Sequence, residues 1–364
     1  MSKPGRAVAV VAILFLAYLS AWPVNIDPVA WTPPSTPGPR GVFAPNDALS
    51  DCEIFTLTPG RGPDTVTFDA IGYLYTGLAD GRIVRVSPDG ATVTQLAAVG
   101  GRATGIAFDV EGNLLVADES GGTVYRIDAS GNVIPLINRV DGEPLMLVND
   151  IAIGNDGTVF VTESSTKFTI EQLRLEVIEH RPNGRILSYD PTKRVTDVLV
   201  EDLYFPNGIV VTRDQSALVF AETTAYRVSR YWLRGPRAGT VEVLIDGLPG
   251  FPGDVSMSEE GRYWLSLIAP RSRLIDALAQ WPRLRTALAR LPASMTPQPR
   301  PFPYLVAFDD RGRIARTLQA GARTDLPSFS SVVETAGALY MGTPGIGASI
   351  DADAIYRSIL AAPQ

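Results

Sequence analysis

The chain has one cysteine, Cys52, and one histidine, His180, in 364 residues. A lone cysteine excludes an intramolecular disulfide and a cysteine metal cluster. A lone histidine excludes chemistry that needs two imidazoles. Positive charge is also short: 32 Lys and Arg against 39 Asp and Glu leave a formal net charge of -7. Binding a phosphate backbone needs a basic face, so nucleic acid is not an expected partner. Helix-period segments alternating with strands are missing too, which excludes doubly wound and TIM-barrel architectures. What remains is globular in composition, 45% hydrophobic and 20% charged, enough for one large domain or two of ordinary size.

One apolar run stands apart. Ala7 to Val24 carries no charge, Lys3 and Arg6 precede it, and no further positive charge comes before Arg40. As a helix it spans about 27 Å, close to the hydrocarbon core of a bilayer. The charge asymmetry keeps the N-terminus cytoplasmic and puts Trp22 at the far interface. A cleaved signal peptide is the other reading, although no small-x-small site stands before Pro23. Both readings export the body of the protein. Residues 1–27 are thus the anchor or signal, and the proline-rich residues 28–50 an extended linker. Residues 51–364 form the body. The expected location is a single-pass membrane protein with its body on the exported side, or a secreted protein if the N-terminus is cleaved.

A repeat runs through that body. TVTFDAIGYLYTG at 65–77 returns as GIAFDVEGNLLVAD at 105–118 and DIAIGNDGTVFVTE at 150–163. GIVVTRDQSALVFAE at 208–222, DVSMSEEGRYWLSL at 254–267 and SVVETAGALYMGT at 331–343 continue it. Each copy alternates apolar and polar residues, turns through Gly, Asp or Asn, and resumes with aromatic and β-branched residues. A third strand such as GRIVRVSPDG or GTVYRIDASG follows most copies, and a fourth such as TVTQLAAV or VEVLIDG ends the unit. About six units of four strands describe an all-β, six-bladed propeller. The last unit runs out before its fourth strand, and CEIFTL, upstream of the first, is placed to supply it.

In a propeller the first strand of each blade lines the central channel. The apolar register puts Asp64, Thr104, Asn149, Asn207, Gly253 and Ser330 at the head of those strands. An isolated Asn or Asp before a strand is ordinarily a turn residue. A shared register converging on one axis instead resembles a site for a hard cation such as calcium. His180, in a polar segment, is expected at the surface.

VND at 148–150, FPNGI at 205–209, AETTAYRVSRYWL at 221–233 and LPGFPGD at 248–254 resemble the strictosidine synthase-like family. This group includes adipocyte plasma membrane-associated proteins and is related more distantly to gluconolactonases and paraoxonases. The resemblance implies catalytic calcium, or another divalent cation, at this rim. Its ligands fall on Asp64, where the family usually has Glu, and on Asn149 and Asn207. The fourth falls on Gly253, with Asp254 next to it. Strand alternation points Asp254 away from the channel, whereas a bulge at Gly253 turns it inward as fourth ligand or catalytic base. The synthase glutamate is replaced by Ser330, Glu334 lies on the turn side of that strand, and the paraoxonase histidine pair is missing. The implied function is calcium-dependent hydrolysis of lactones or related esters, including aryl esters. The alternative is a non-enzymatic binding propeller whose metal site has decayed.

Two long insertions, 164–183 and 269–303, fall between second and third strands and therefore overhang the same rim. In the second, Leu274, Leu278, Trp281, Leu284, Leu288 and Leu291 recur at helical spacing, and Pro282 divides the segment into two short helices. Arg271, Arg273, Arg283, Arg285 and Arg290 make it locally basic. It is either a packed cap or a lid that also touches an anionic membrane surface.

Overall fold

The computed structural model describes residues 3–296, 300–345 and 353–360. The repeat folds into six antiparallel four-stranded sheets around an axis. Blade 1 runs through Val66–Phe68, Leu74–Gly77, Arg82–Val86 and Val93–Ala98, and blades 2 to 5 repeat the meander. In blade 6 the strands Val332–Thr335, Ala338–Met341 and Ala354–Ile359 are completed by Glu53–Leu57 from before blade 1. The ring thus closes as the sequence predicts, with Glu53 opposite Arg357 and Leu57 opposite Ala354.

The hairpins follow from their turn residues. Asp69 Oδ1 accepts from the backbone N–H of Ile71 at 3.0 Å and of Tyr73 at 2.9 Å. Asp109 holds Glu111 and Asn113 in the same way, at 2.9 and 2.8 Å. A carboxylate that satisfies its own turn fixes where each inner strand reverses. The apolar residues then face neighbouring blades. Trp264 and Leu305 of blade 5 pack on Val332 and Leu339 of blade 6, all fully buried. Burying each such side chain contributes roughly 1.5–3 kcal/mol.

Four helices lie outside the sheets among the described residues. Helix α1 (Lys3–Ala21) is long and apolar enough to cross a membrane and is not buried against the propeller. Helix α2 (Leu173–Glu179) comes from the first insertion, and α3 (Arg273–Ala277) and α4 (Pro282–Arg290) from the second. Pro282 opens α4 at its first turn, where its missing N–H costs nothing.

The proline-rich linker lies along the body. The Trp31 N–H donates to Ala279 O at 3.2 Å, Arg271 donates to Pro34 O at 2.9 Å, and Thr317 donates to Val42 O at 2.8 Å. Extended proline-rich backbone leaves its carbonyls unpaired, and here arginine and threonine donors take them up. One expectation is corrected: His180 is not at the surface. It is 3% exposed, in a left-handed conformation at the end of α2, with its ring 3.7 Å from that of Trp31. The segment around it is polar, but the linker folds over it, a long-range contact that local polarity does not reveal.

Candidate functional site

The six strand heads meet. Asp64, Thr104, Asn149, Asn207, Gly253 and Ser330 all line one cavity of about 610 Å³ at the rim of the channel. Hydrogen bonds stitch neighbouring blades there. Thr104 Oγ1 donates to Asn149 O at 2.8 Å, Thr223 Oγ1 to Pro252 O at 2.7 Å, and Ser330 Oγ to Asp64 O at 2.8 Å. Ser330 is thus a structural link at the position where the synthases have glutamate. Glu334 accepts from Trp264 Nε1 at 2.5 Å and is not part of the cavity lining.

Asp254 reaches the cavity through a bulge. The pairing of its strand shifts register between Pro252 and Val255, so that Gly253 and Asp254 both line the site. The same irregularity recurs between Ala103 and Ile106, Val148 and Ile151, and Pro206 and Ile209. It brings in Asp150 beside Asn149, which strict alternation hides; Arg102, at the entry to blade 2, also lines the site. Glu119, from the loop beyond the second strand of blade 2, is a third. The acidic residue in VND and the arginine before a strand head were visible in the sequence; their inward direction was not.

These groups divide into two sets. In the first, the Arg102 guanidinium bridges Asp64 Oδ2 and Glu119 Oε2, an ion-paired triad that is almost wholly buried. Burial raises both carboxylic acids, and the Arg102 charge pulls them back down. In the second, Asp150 and Asp254 face each other. Burial raises both, and for Asp254 the Asp150 charge raises it further, so the pair holds a proton between its carboxyl groups. Asp150 is fixed by the Ile209 N–H, which donates to Oδ2 at 2.9 Å. Two ion-paired carboxyl groups and two with no ion pair among the described residues thus stand in one cavity, whose lining also carries Glu171, Arg174 and Arg300.

The two asparagines stand beside these sets. Asn149 Nδ2 donates to Glu119 Oε1 at 3.5 Å and Asn207 Nδ2 to Thr223 Oγ1 at 3.2 Å. Neither Oδ1 accepts a hydrogen bond from the described residues, so both oxygens remain available to the cavity. Among the described residues no three His, Cys, Asp or Glu side chains form a metal-ready cluster. The donor set that suits a hard cation is mixed instead: two carboxamide oxygens and the Asp254 carboxylate, with Asp150 beside it. Asp64, the remaining expected ligand, is committed to Arg102.

Both insertions roof the cavity as expected. Leu173, Val177 and Ile178 approach from the first, and Leu274, Ile275 and Leu288 from the second. The arrangement is a buried polar floor under a largely apolar ceiling that also carries Glu171, Arg174 and Arg300.

The six-bladed propeller is a fold that solved gluconolactonases share. Backbone comparison agrees, with a TM-score of 0.61 and 15% identity to a gluconolactonase from Xanthomonas campestris over 93% of this chain and 98% of that one. The calcium-binding protein regucalcin from Agrobacterium tumefaciens gives 0.57 at 16% identity, over 83% of this chain and 94% of that one. Residues 149–236 match the strictosidine synthase family model, and residues 41–86 the strictosidine synthase-like N-terminal model. Protein strictosidine synthase-like 13 of Arabidopsis thaliana is 34% identical over 291 residues, 71% of this chain and 72% of its own. An adipocyte plasma membrane-associated protein from Danio rerio is 30% identical over 343 residues, 87% of this chain and 81% of its own. The chain belongs to the strictosidine synthase-like family.

Proposed function

We propose that the rim cavity binds a small lactone or related ester and hydrolyses it with the help of a divalent cation, calcium being the first candidate. The observation that carries this reading is the convergence of Asn149, Asn207, Asp150 and Asp254 on one roofed cavity. Asn149 and Asn207 would hold the cation through their free oxygens and Asp254 through its carboxylate, with Asp64 contributing only if it leaves Arg102. A cation bound there supplies Lewis-acid polarisation of a carbonyl oxygen. Holding a cation requires the Asp254 carboxyl to be ionised, its proton being released on binding, and leaves Asp150 beside it as the base. Asp150 can accept a proton from an attacking water and pass it to the departing alkoxide. The largely apolar roof excludes bulk water and receives the hydrocarbon part of the substrate. That a structural neighbour is a gluconolactonase and another binds calcium supports the same reading.

The domain plan is part of the proposal: residues 1–27 as anchor or signal, 28–50 as linker, 51–364 as propeller. Tyr18 Oη donates to Arg290 O at 2.7 Å, and Arg290 donates to Trp22 O and Leu19 O, each at 2.6 Å. The anchor therefore leaves the membrane beside the cover. Trp281, Leu284 and Met295 are exposed on that cover, which supports residues 269–303 as a second membrane contact. In this reading the propeller sits on the exported side, and a cleaved N-terminus would give a secreted protein.

Full-length protein in detergent should hydrolyse simple lactones or aryl esters, lose that activity in chelator and recover it with calcium. Asn207→Ala should lower calcium affinity and turnover together. The Arg102 bridge favours a second reading, a binding propeller without catalysis. Calcium-independent retention of lactones with no turnover would establish that one instead.

A further inference from the structure

Arg102 is a costly residue to place at this rim. It is 8% exposed and belongs to the same blade as Glu119, to which its backbone is tied. The Arg102 N–H donates to Ser120 Oγ at 2.9 Å, and Arg102 O accepts from the Glu119 N–H at 2.8 Å. Its side chain reaches across to Asp64 of blade 1. It thereby neutralises two carboxylates from two blades and joins them through one cation. Its third donor position, Nε, is buried and has no hydrogen-bond partner. A planar guanidinium that spends its terminal nitrogens on carboxylates and wastes Nε is incompletely satisfied by its pocket.

Calcium favours sites with many oxygen ligands, and affinity is tuned by the number of charged ones. Arg102 acts against such a site in two ways. It withdraws Asp64 and Glu119 from coordination, and it adds a fixed positive charge beside the oxygens of Asn149, whose amide is bonded to the same Glu119. In low dielectric a like charge at that range strongly opposes an incoming cation.

We propose that Arg102 is a built-in competitor of the divalent cation, a resident guanidinium that holds the carboxylates a metal would otherwise share and so keeps cation binding weak. The inference rests on the metal-assisted reading given above and concerns the regulation of that site. Two cation arrangements follow. In one, Arg102 spans Asp64 and Glu119. In the other, a metal recruits one of those carboxylates and the guanidinium gives it up.

The test compares full-length wild type with Arg102→Met and Arg102→Lys, all stripped with chelator and then titrated with calcium chloride by calorimetry and by thermal melting. Methionine keeps the length and removes the charge, whereas lysine keeps the charge and loses the two-pronged bridge. Arg102→Met should bind calcium at least about tenfold more tightly, as expected for one added charged ligand and one positive charge removed, with Arg102→Lys between it and wild type. Its melting temperature should fall in chelator and recover with calcium, while that of wild type moves little. Folding of Arg102→Met only in calcium would support the proposal, and Arg102→Lys then carries the affinity comparison. Adding Glu119→Gln to Arg102→Met should reverse the gain. Equal or weaker calcium binding in both arginine variants, with wild type still binding, would overturn the competitor role and leave the hydrolase reading intact. No calcium binding in any of the three would overturn both.

Discussion

The rim and the cover lie one above the other and treat buried charge differently. At the rim, Arg102 pairs with two of four neighbouring carboxyl groups, and the other two, Asp150 and Asp254, have no ion pair among the described residues. In the cover, Arg271 pairs with Asp276 and Lys167 with Glu179, and other arginines are held by backbone carbonyls. Arg285 donates to Ile178 O at 2.9 Å and Glu179 O at 3.0 Å and also to Val29 O, and Arg290 caps the end of α1. The difference follows from what builds each layer. A ring of paired strands is rigid enough to hold repelling groups at fixed positions. The cover has two short insertions and a linker with little paired backbone of their own, so its polar groups are used to hold it together. Burial shifts titratable groups in both layers, and the cover leaves Arg285 Nε, His180 Nδ1 and the Trp31 indole N–H without a hydrogen-bond partner among the described residues. The rim differs in setting carboxyl groups side by side, as a reactive site needs.

Asp254→Asn breaks the rim side of this comparison and should have the largest effect. Removing the ionisable group leaves Asp150 without its proton-sharing partner and takes a charged ligand from the proposed cation. Turnover should fall by about 100-fold or more, the usual scale for loss of a positioned acid–base group. The melting temperature should change little, because the amide can donate to Asp150 as the protonated carboxyl does. Kinetics and melting on the same preparation check both halves. A large loss of stability with turnover intact would make Asp254 a structural residue.

Propeller, blade boundaries, ring closure through CEIFTL and the six strand heads were legible because each rests on a local signal, period-two alternation interrupted by an Asp-Gly turn. The break at Pro282 was legible for the same reason. Three features were not. Gly253 offered the bulge that turns Asp254 inward, but nothing marked the matching bulge that brings in Asp150, which strict alternation points away. Gly208 records another of these bulges in the sequence, since a β-carbon there would stand 2.4 Å from Asp254 Cα, but a glycine in a strand does not say what approaches it. The Arg102 bridge joins different blades, and the burial of His180 depends on residues some 150 positions away. Contacts between distant segments leave no periodic trace.

The cover gives a prediction from two titrating groups of opposite sign. Burial, aided by the Arg285 and Arg227 charges, depresses His180 to about 3. Between that value and the unfolded ~6.5, the unfolded chain binds more protons, so the stability due to neutral His180 is complete above ~6.5 and is lost as pH falls. Burial raises Glu176 to about 7. Between the unfolded ~4.3 and that value, the folded chain binds more protons, so stability grows as pH falls. In wild type the two slopes oppose each other from about pH 6.5 to 4.5 and leave a shallow profile. Glu176→Gln should expose the histidine slope, a loss of roughly 2 kcal/mol between pH 6.5 and 5. His180→Asn, which tolerates the left-handed backbone, should give a gain of similar size. Urea unfolding midpoints across that range decide the matter, and parallel profiles for the two variants would refute the assignment.

The smallest expected effect tests whether the cover's outer face meets the bilayer. Trp281 is 61% exposed and Leu284 49%, on the insertion whose Arg290 accepts the Tyr18 hydroxyl and caps α1. Neither side chain supports the fold, so Trp281→Ala should change stability by less than about 0.5 kcal/mol. If the face is immersed, an interfacial tryptophan steadies the cover against the membrane, and its loss should matter only for substrates that arrive from lipid. With full-length protein in phospholipid vesicles, Trp281→Ala should lower turnover of a long-chain ester dissolved in the bilayer several-fold, an effect of the size of one interfacial contact, and leave a short water-soluble lactone untouched. Equal loss on both substrates would place Trp281 in the lid's closure. No loss on either would leave α1 as the membrane contact and confine the cover's part to roofing the rim.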